Sequence, residues 1–310
     1  MTTAIETRGL SKDYGRGRGL FDLNLEVAEG EVLGYLGPNG AGKTTTIRLL
    51  MGLIHPTAGS ASIFGLDCRR QSVAIKRYVG YVPGELPQFG GLRGSEIVAY
   101  MAGLGGGVDE KVVAQLCQRF SLDLSQRFRE YSRGNKQKLA IVLGFMQRPR
   151  LLILDEPTGG LDPLNQQSFY DLCRETRDAG ATVFLSSHIL SEVEHISDRV
   201  GIIRDGRLVE MAKLSELHQI RVHQVEIEFA GTVPLAAIRA AQGVDRVELN
   251  DHRVRCVVQG SFESLMKALG GASVVNFVSH EPSLEEIFLT FYRGEGPVKA
   301  GETGSTTRPA

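Results

Sequence analysis

Cysteine is scarce in this 310-residue chain, and the four that occur are scattered without a C-x-x-C spacing: Cys68, Cys117, Cys173 and Cys256. A zinc site or a disulfide framework needs a closer and more regular spacing than this. The pattern instead favours reduced, buried thiols in a cytosolic protein.

A long apolar run is missing as well. The longest apolar stretch, Leu139–Met146, contains a glycine and falls far short of the ~20 residues that cross a bilayer. The first segment, Met1–Arg8, lacks the apolar core of a signal peptide. We therefore expect any work at a membrane to be done through a partner.

The chain also lacks an excess of charge of either sign. It has 35 Lys and Arg against 36 Asp and Glu, for a net charge of −1. Proteins that bind nucleic acid over a broad surface carry a marked positive excess. Nucleic acid is therefore not expected among the partners.

Two regions with different periodicity are present, and the length suits about two domains. Up to about residue 215, short apolar segments alternate with helical ones, which is typical of an α/β domain with a mostly parallel sheet. Helical spacing over about residues 85–134 indicates a helical insertion. The predicted strands are Thr3–Arg8, Phe21–Val27, Val32–Leu36, Ser60–Ile63, Val79–Val82, Leu151–Leu154, Thr182–Ser186 and Arg199–Ile203, with a final hairpin at Ile203–Glu210.

From Val222 onward the pattern follows the order β-α-β-β-α-β, which matches a small ferredoxin-like α+β domain. A last helix is predicted to begin at Ser283, where Glu286 completes a capping box. The Gly/Thr/Pro-rich tail is expected to be disordered. The predicted domains are an α/β domain at 1–218, an accessory or regulatory domain at 219–293 and a tail at 294–310.

One segment of the α/β region matches the phosphate-binding loop G-x-x-x-x-G-K-[ST] in full. Its glycines allow φ > 0 and a close backbone approach to a ligand, and the exposed amides at a helix start attract an anion. Lys43 can reach the β- and γ-phosphates, and Thr44 offers a hydroxyl to Mg²⁺. A chance Gly-rich turn would lack the strand before this loop and the helix after it, so we predict nucleoside triphosphate binding. The loop residues are Gly37, Pro38, Asn39, Gly40, Ala41, Gly42, Lys43, Thr44 and Thr45.

A second segment, Leu151–Glu156, consists of four apolar residues followed by two carboxylates. This is the form of a Walker B strand, in which Asp155 would hold Mg²⁺, usually through water, and Glu156 would act as general base on the attacking water. A buried strand that ends in acids by chance is the alternative. The phosphate loop upstream argues against that alternative.

Four further motifs occur in the order and spacing of one family. Tyr131–Lys138 resembles the LSGGQ signature of ABC transporters, Gly160–Asp162 resembles their D-loop, and Ser186–His188 resembles their switch histidine. Leu10–Gly15 is similar to the loop whose aromatic residue stacks on adenine. Over about residues 3–215 the chain is identified as an ABC-type nucleotide-binding subunit, a P-loop NTPase with a helical insertion.

The resemblance implies a mechanism with ATP and Mg²⁺ as cofactors. Two subunits would meet head to tail in an ATP-dependent homodimer, with Tyr14 stacking on adenine and His188 reaching the γ-phosphate and helping to hold Glu156 and the water in place. Asp162 would organise the interface. The signature residues would act on the ATP of the opposite subunit, with the first and third touching its γ-phosphate: Ser132, Arg133, Gly134 and Asn135.

The chain departs from the family pattern at two places. Gly84 stands where the family has a glutamine that contacts Mg²⁺. Either Glu85 or Gln88 substitutes for that glutamine, or the contact is missing. In the signature, Tyr131 replaces leucine, Arg133 replaces glycine and Asn135 replaces glutamine. This altered signature resembles the drug and antibiotic exporter branch of bacterial ABC ATPases.

The C-terminal segment Glu281–Leu289 resembles the ending of that same branch. Such a subunit is expected to be cytoplasmic and peripheral on the inner face of the cell membrane. There it would be bound through its helical insertion to a separate multi-span permease.

The leading hypothesis is therefore the ATPase of an exporter for a drug, antibiotic or lipid-like compound. Alternatives are the ATPase of an ABC importer, a non-transport ABC protein acting on DNA or ribosomes, and a nucleotide sensor without turnover. Glu156 and His188 disfavour the sensor, while Gly84 keeps it open. For the accessory domain, dimer stabilisation, regulation of turnover and permease docking all remain possible roles.

Overall fold

The computed structural model describes residues 2–214 and 222–280. The chain divides into two compact units, Met1–Leu214 and Ser215–Ala310, and each is described by itself. The predicted helix from Ser283, the segment Glu281–Leu289 and the predicted disordered tail lie outside the described residues.

The first unit alternates strands and helices, as its sequence pattern predicts. Its described strands are β1 Thr3–Asp13, β2 Gly19–Ala28, β3 Val32–Leu36, β4 Ala58–Ile63, β5 Leu66–Asp67, β6 Val79–Val82, β7 Leu151–Asp155, β8 Thr182–Ser187, β9 Arg199–Arg204 and β10 Arg207–Lys213. Its described α-helices are α1 Lys43–Leu50, α2 Ser72–Ile75, α3 Gly94–Leu104, α4 Glu110–Arg119, α5 Arg133–Phe145, α6 Pro163–Asp178 and α7 Leu190–Ile196.

A six-stranded sheet in the order β10-β9-β3-β8-β7-β6 forms the centre of this unit. Strands β3, β6, β7, β8 and β9 run parallel, and β10 returns antiparallel to β9. In the register, Asp155 lies opposite Ser186, and Leu36 lies opposite Ser187. The carboxyl ends of β3, β7 and β8 therefore meet at one edge, which is where parallel sheets bind ligands.

The central strands are fully buried, which explains their continuous apolar sequence. Along β7, alternate residues enter two different cores: Leu152 and Leu154 face the helices of the insertion, whereas Leu151 and Ile153 face α1 and the second sheet. The strand period of two thus divides one apolar run between the two faces of the sheet.

The α/β prediction is confirmed, but not all its strands join the parallel sheet. Strands β1, β2, β4 and β5 form a separate antiparallel sheet in the order β2-β1-β4-β5. Along β2, buried residues alternate with exposed or half-buried ones, as in a sheet with one face in contact with solvent. Local pattern predicts that such strands exist; their pairing depends on partners distant in sequence.

The second unit has the predicted β-α-β-β-α-β order. Its described elements are β11 Val222–Phe229, α8 Leu235–Ala240, β12 Val244–Asn250, β13 Arg253–Gln259, α9 Glu263–Ala268 and β14 Val274–His280. The strands form an antiparallel sheet in the order β12-β13-β11-β14, and Val225, Ile227 and Phe229 of β11 pack into its core. Over residues 2–214 and 222–280, no helix is long and apolar enough to cross a membrane.

Candidate nucleotide site

The phosphate-loop residues lie between the end of β3 and the start of α1. Gly40 and Gly42 have φ values of +83° and +113°, which favour glycine, and Gly42 caps the helix. A Cβ on Gly37 would come 2.4 Å from a neighbouring backbone oxygen. The buried Lys43 ammonium donates to the carbonyl oxygens of Gly37 at 2.7 Å and Pro38 at 3.1 Å. The Lys43 side chain is therefore held in place by the backbone of its own loop.

Asp155 lies buried at the carboxyl end of β7, and both of its carboxylate oxygens accept hydrogen bonds. Thr44 Oγ1 donates to Oδ2 at 3.0 Å, and Ser186 Oγ donates to Oδ1 at 2.6 Å. Because β7 and β8 are neighbours, and Thr44 lies in the first turn of the helix after β3, the fold brings these three side chains together. Thr44 and Asp155, which come from different segments, thus place two oxygen atoms that could bind a metal ion next to each other.

Glu156 lies at the centre of the site and has a left-handed backbone, with φ of +48°. Its N–H donates to the Ser186 carbonyl oxygen at 3.1 Å, which anchors this strained residue to β8. Its Oε1 lies 3.3 Å from Lys43 Nζ and 3.3 Å from His188 Nδ1. The carboxylate is one-third exposed, so a water molecule can reach it.

A cleft of about 380 Å³ joins the phosphate loop to Tyr14 and Glu156. The Tyr14 side chain is half exposed, and the Lys12 ammonium lies over its ring, 5.6 Å from the centroid. Among the predicted loop residues, the cleft is lined by Asn39, Gly40, Gly42, Lys43, Thr44 and Thr45. One continuous surface therefore runs from an aromatic ring to a lysine and a carboxylate.

The turn between β9 and β10 forms another wall of this cleft, which motif analysis missed. Gly206 donates its N–H to the Ala41 carbonyl oxygen at 2.9 Å, and its own carbonyl accepts from Phe21 at 2.7 Å. Asp205 and Arg18 also line the cleft. The Asp-Gly pair in the sequence indicated only a hairpin, because its contact with the phosphate loop depends on the position of β9 next to β3.

The signature residues occupy a different place. Ser132 caps α5 by accepting the Asn135 N–H at 3.1 Å. A Cβ on Gly134 would lie 2.8 Å from the Gly160 carbonyl oxygen, and the Arg133 side chain packs against Gly160. None of the four signature residues is among the described residues that line the cleft with Glu156.

The D-loop residue Asp162 caps α6. Its Oδ1 accepts the Asn165 N–H at 3.1 Å, and its Oδ2 accepts from the Asn165 side chain at 2.5 Å. The hydrogen bonds from Asn165 hold the pKa of the Asp162 carboxyl below its usual range. Like the signature residues, Asp162 is absent from the described lining of the nucleotide cleft.

The segment after β6 comes beside Asp155. A Cβ on Gly84 would lie 3.3 Å from the Asp155 carbonyl oxygen, while Glu85 is exposed. Just before it, burial and the nearby Asp155 raise the pKa of Tyr81 to about 12. Position 84 thus adjoins the proposed metal ligand but offers no side chain to it.

A buried carboxylate behind the site was also missed by motif analysis. Glu192 on α7 is only 4% exposed, and it accepts hydrogen bonds from Thr158 and Ser187. One sequence signal could have identified Glu192: a glutamate on the apolar side of a short amphipathic helix. Such a buried charge needs partners.

Comparison with known proteins identifies related chains. Residues 20–159 match the ABC transporter family. The bacitracin transport ATP-binding protein BcrA of Enterococcus faecalis is 32% identical over 303 residues, covering 96% of this chain and 98% of that protein. The daunorubicin/doxorubicin resistance ATP-binding protein DrrA of Streptomyces peucetius is 38% identical over 221 residues, covering 70% of this chain and 67% of that protein.

A solved structure of the ATP-binding subunit of an ABC transporter superposes with a TM-score of 0.64 at 32% identity. The match covers 70% of this chain and 92% of the other.

Proposed function

The chain belongs to the ATP-binding subunits of ABC transporters, which are ATPases, and from this membership we propose that it drives export of a drug, antibiotic or lipid-like compound. Two relatives support this cargo class by their names, one for bacitracin transport and one for daunorubicin/doxorubicin resistance. The compound would cross through a separate multi-span permease, which would bind this subunit at the inner face of the cell membrane.

The observation that carries the ATP-hydrolysing part of the proposal is the convergence of Lys43, Glu156 and His188. Glu156 Oε1 is 3.3 Å from both of the other side chains. A lysine for the γ-phosphate and a carboxylate for the attacking water are the two groups that phosphoryl transfer to water needs next to each other. Tyr14, at the same cleft, suits the adenine ring.

The donor set beside Lys43 fits Mg²⁺. Thr44 Oγ1 and Asp155 Oδ2 are oxygen ligands 3.0 Å apart, and Mg²⁺ in nucleotide sites takes one or two protein oxygens together with phosphates and waters. Thr44 would bind the ion directly and Asp155 through water. The ion would neutralise charge that develops on the β- and γ-phosphates.

In the proposed reaction, Glu156 accepts a proton from water as the water oxygen bonds to the γ-phosphorus. The bond from phosphorus to the bridging oxygen breaks, and ADP leaves with that electron pair. Lys43 holds the γ-phosphate, and His188 keeps the Glu156 carboxylate in line. Once cleaved, the γ-phosphate no longer connects the parts of the site.

A second copy of the chain would complete the site. The signature residues Ser132 and Gly134 start a helix, where backbone amides attract anions, yet they do not line the described cleft of their own chain. A head-to-tail homodimer would bring them to the γ-phosphate of the opposite subunit, with Asp162 at the interface.

Within each subunit, we assign nucleotide binding to residues 1–218 and permease contact to the helical insertion at about 85–134. Residues 219–293 form an accessory domain in this proposal. Dimer stabilisation, regulation of turnover and permease docking are all consistent with the separate hydrophobic core of the second unit.

Import is not favoured by these relatives, and a non-transport role is not favoured either, because their names describe transport and drug resistance. A sensor without turnover is disfavoured by the contact between Glu156 and His188.

Size-exclusion chromatography with light scattering on Glu156→Gln tests the proposal. With MgATP we expect a shift from monomer to dimer, since binding is retained while the base is lost, and without MgATP we expect monomer. Wild-type protein should hydrolyse ATP, and Glu156→Gln should not. Wild-type turnover in Glu156→Gln would overturn the assignment of the base. A Glu156→Gln chain that binds ATP but stays monomeric would overturn self-assembly of the dimer and make the permease necessary for it.

A further inference from the structure

Behind the nucleotide cleft, one buried carboxylate connects the two segments that carry Glu156 and His188. Glu192 is 4% exposed, Thr158 is 4% exposed and Ser187 is 1% exposed. The Thr158 hydroxyl donates to Glu192 Oε1, and the Ser187 hydroxyl donates to Oε2. Each oxygen of the carboxylate thus accepts a hydrogen bond from a different segment.

On one side, the carboxylate acts on the turn that contains His188. With its proton directed to Glu192, the Ser187 oxygen accepts the N–H of Ile189 at 2.9 Å. That bond spans His188 and closes a short turn of the kind that serine side chains stabilise. The same residue also accepts the N–H of Gly37 through its carbonyl oxygen at 3.2 Å, so the turn is tied to the phosphate loop.

On the other side, the carboxylate acts on the chain after β7. Thr158 lies two residues beyond Glu156, whose left-handed backbone must be held by its surroundings. The hydrogen bond from Thr158 to Glu192 fixes this short connection from within the protein. The two ends of the contact between Glu156 and His188 are therefore anchored to one and the same side chain.

The helix that carries Glu192 is itself held close to the sheet. A Cβ on Gly34 of β3 would lie 2.2 Å from Val193 Cγ1 and 2.7 Å from Ser197 Oγ. Only glycine allows α7 to pack so near to the strand that leads into the phosphate loop. The position of the Glu192 carboxylate is set by this packing.

We propose that Glu192 is a positioning residue for ATP hydrolysis, which holds His188 and Glu156 at their 3.3 Å separation through Ser187 and Thr158. This inference rests on the proposed function, in which these two residues orient and activate the water. Glu192 touches neither nucleotide nor water in this scheme, so its effect is exerted on geometry. A buried carboxylate is costly unless fully hydrogen-bonded, which gives the network a single preferred arrangement.

The test compares steady-state ATP hydrolysis by full-length Glu192→Ala, Glu192→Gln and Glu194→Gln. Glu194 is the matched control, because it lies on the same helix but outside the network. For Glu192→Ala we expect kcat to fall about 10- to 100-fold with KM for MgATP changed less than about threefold, since misplacement of reacting groups costs rate rather than binding. Glu192→Gln should retain part of the rate, because its amide can still pair with both hydroxyls.

A mutant cycle separates positioning from general stability. Ser187→Ala and Thr158→Val should each lower kcat, and combining either with Glu192→Ala should add almost nothing, because the shared network is already lost. Additive losses of kcat in the double variants would overturn the inference. It would also be overturned if Glu192→Gln and both partner variants all kept the wild-type kcat. If Glu192→Ala does not fold, the kcat values of Glu192→Gln, Ser187→Ala and Thr158→Val test the inference.

The two proposals can fail separately. Wild-type turnover that is abolished in Glu156→Gln supports the proposed function, and wild-type rates in the Glu192 network would then overturn only the positioning role. Absence of turnover in the wild-type chain would overturn the proposed function, and the positioning role with it.

Discussion

Lys43 and Glu156 form an ion pair between the phosphate loop and the end of β7, with Nζ 3.3 Å from Oε1. The same ammonium donates to the carbonyl oxygens of Gly37 and Pro38. The Lys43 ammonium therefore already has three oxygen partners. A triphosphate that binds in the loop must compete with them for this cation. This explains how a lysine can be buried here without a large cost, because its charge is compensated from within the loop.

The first prediction concerns binding. Lys43→Ala should raise the Kd for MgATP at least about tenfold, since the direct charge for the γ-phosphate is lost. Isothermal titration calorimetry would measure this. Lys76→Ala is the control, because Lys76 is an exposed lysine at the end of α2, and it should bind as the wild type does. Equal affinities for the two variants would contradict the role of Lys43.

The second prediction concerns the turn that closes the cleft. Gly206 has φ of +73°, and a Cβ there would lie 2.3 Å from the Gly19 carbonyl oxygen. Gly206→Ala should therefore lower the free energy of unfolding by about 1–3 kcal/mol and raise KM for MgATP. Gly103→Ala is the contrasting control, since Gly103 lies in α3 with open space around it. Gly103→Ala should raise the free energy of unfolding by up to about 1 kcal/mol. Urea unfolding of both variants measures the difference, and equal midpoints would contradict the steric argument.

The third prediction concerns pH. Arg119 of α4 donates to Glu175 of α6 through both terminal nitrogens, one at 2.7 Å, and this lowers the pKa of Glu175 from its ordinary 4.5. Because the folded pKa is the lower one, the stabilisation is present above about pH 4.5 and is lost as the pH falls through the folded value. The Glu175 side chain is 60% exposed, so solvent screening keeps the effect below about 1 kcal/mol.

Glu175→Gln should accordingly unfold at lower urea than the wild type at pH 7. The two curves should converge well below pH 4.5, where the wild-type carboxylate is protonated as well. A difference that stays constant down to pH 3 would show that packing rather than the ion pair is responsible.

The fourth prediction concerns the altered position after β6. Gly84→Gln should lower the Mg²⁺ concentration for half-maximal ATPase roughly two- to tenfold, because it adds a side-chain oxygen beside Asp155. The Cβ contact of 3.3 Å with the Asp155 carbonyl requires only a small adjustment. Gly91→Gln, whose nearest neighbour is the Arg127 side chain at 3.8 Å, is the control. An unchanged Mg²⁺ dependence in Gly84→Gln would mean that position 84 is not equivalent to the family's glutamine.

Residue types and their spacing were enough to predict the features whose physical requirements are local. A buried strand, a glycine-rich turn and a helix start must be consecutive to bind phosphate, so Gly37–Thr45 could be identified from residue types alone. Fully buried strands such as β7 appear as continuous apolar runs, and half-buried strands such as β11 alternate. The α/β class and the ferredoxin-like order followed from these periods.

Which distant segments meet could be seen only once the chain was folded. The separate antiparallel sheet of β1, β2, β4 and β5 and the contact of Gly206 with Ala41 depend on pairing between distant residues. So does the bridge of Glu192 to Thr158 and Ser187. Local periodicity carries no information on such pairing, because one apolar strand can pack against many partners. The pairing is decided by the simultaneous burial of all these segments. This burial brings Glu156, His188 and the Glu192 network that supports both of them to one edge of the sheet.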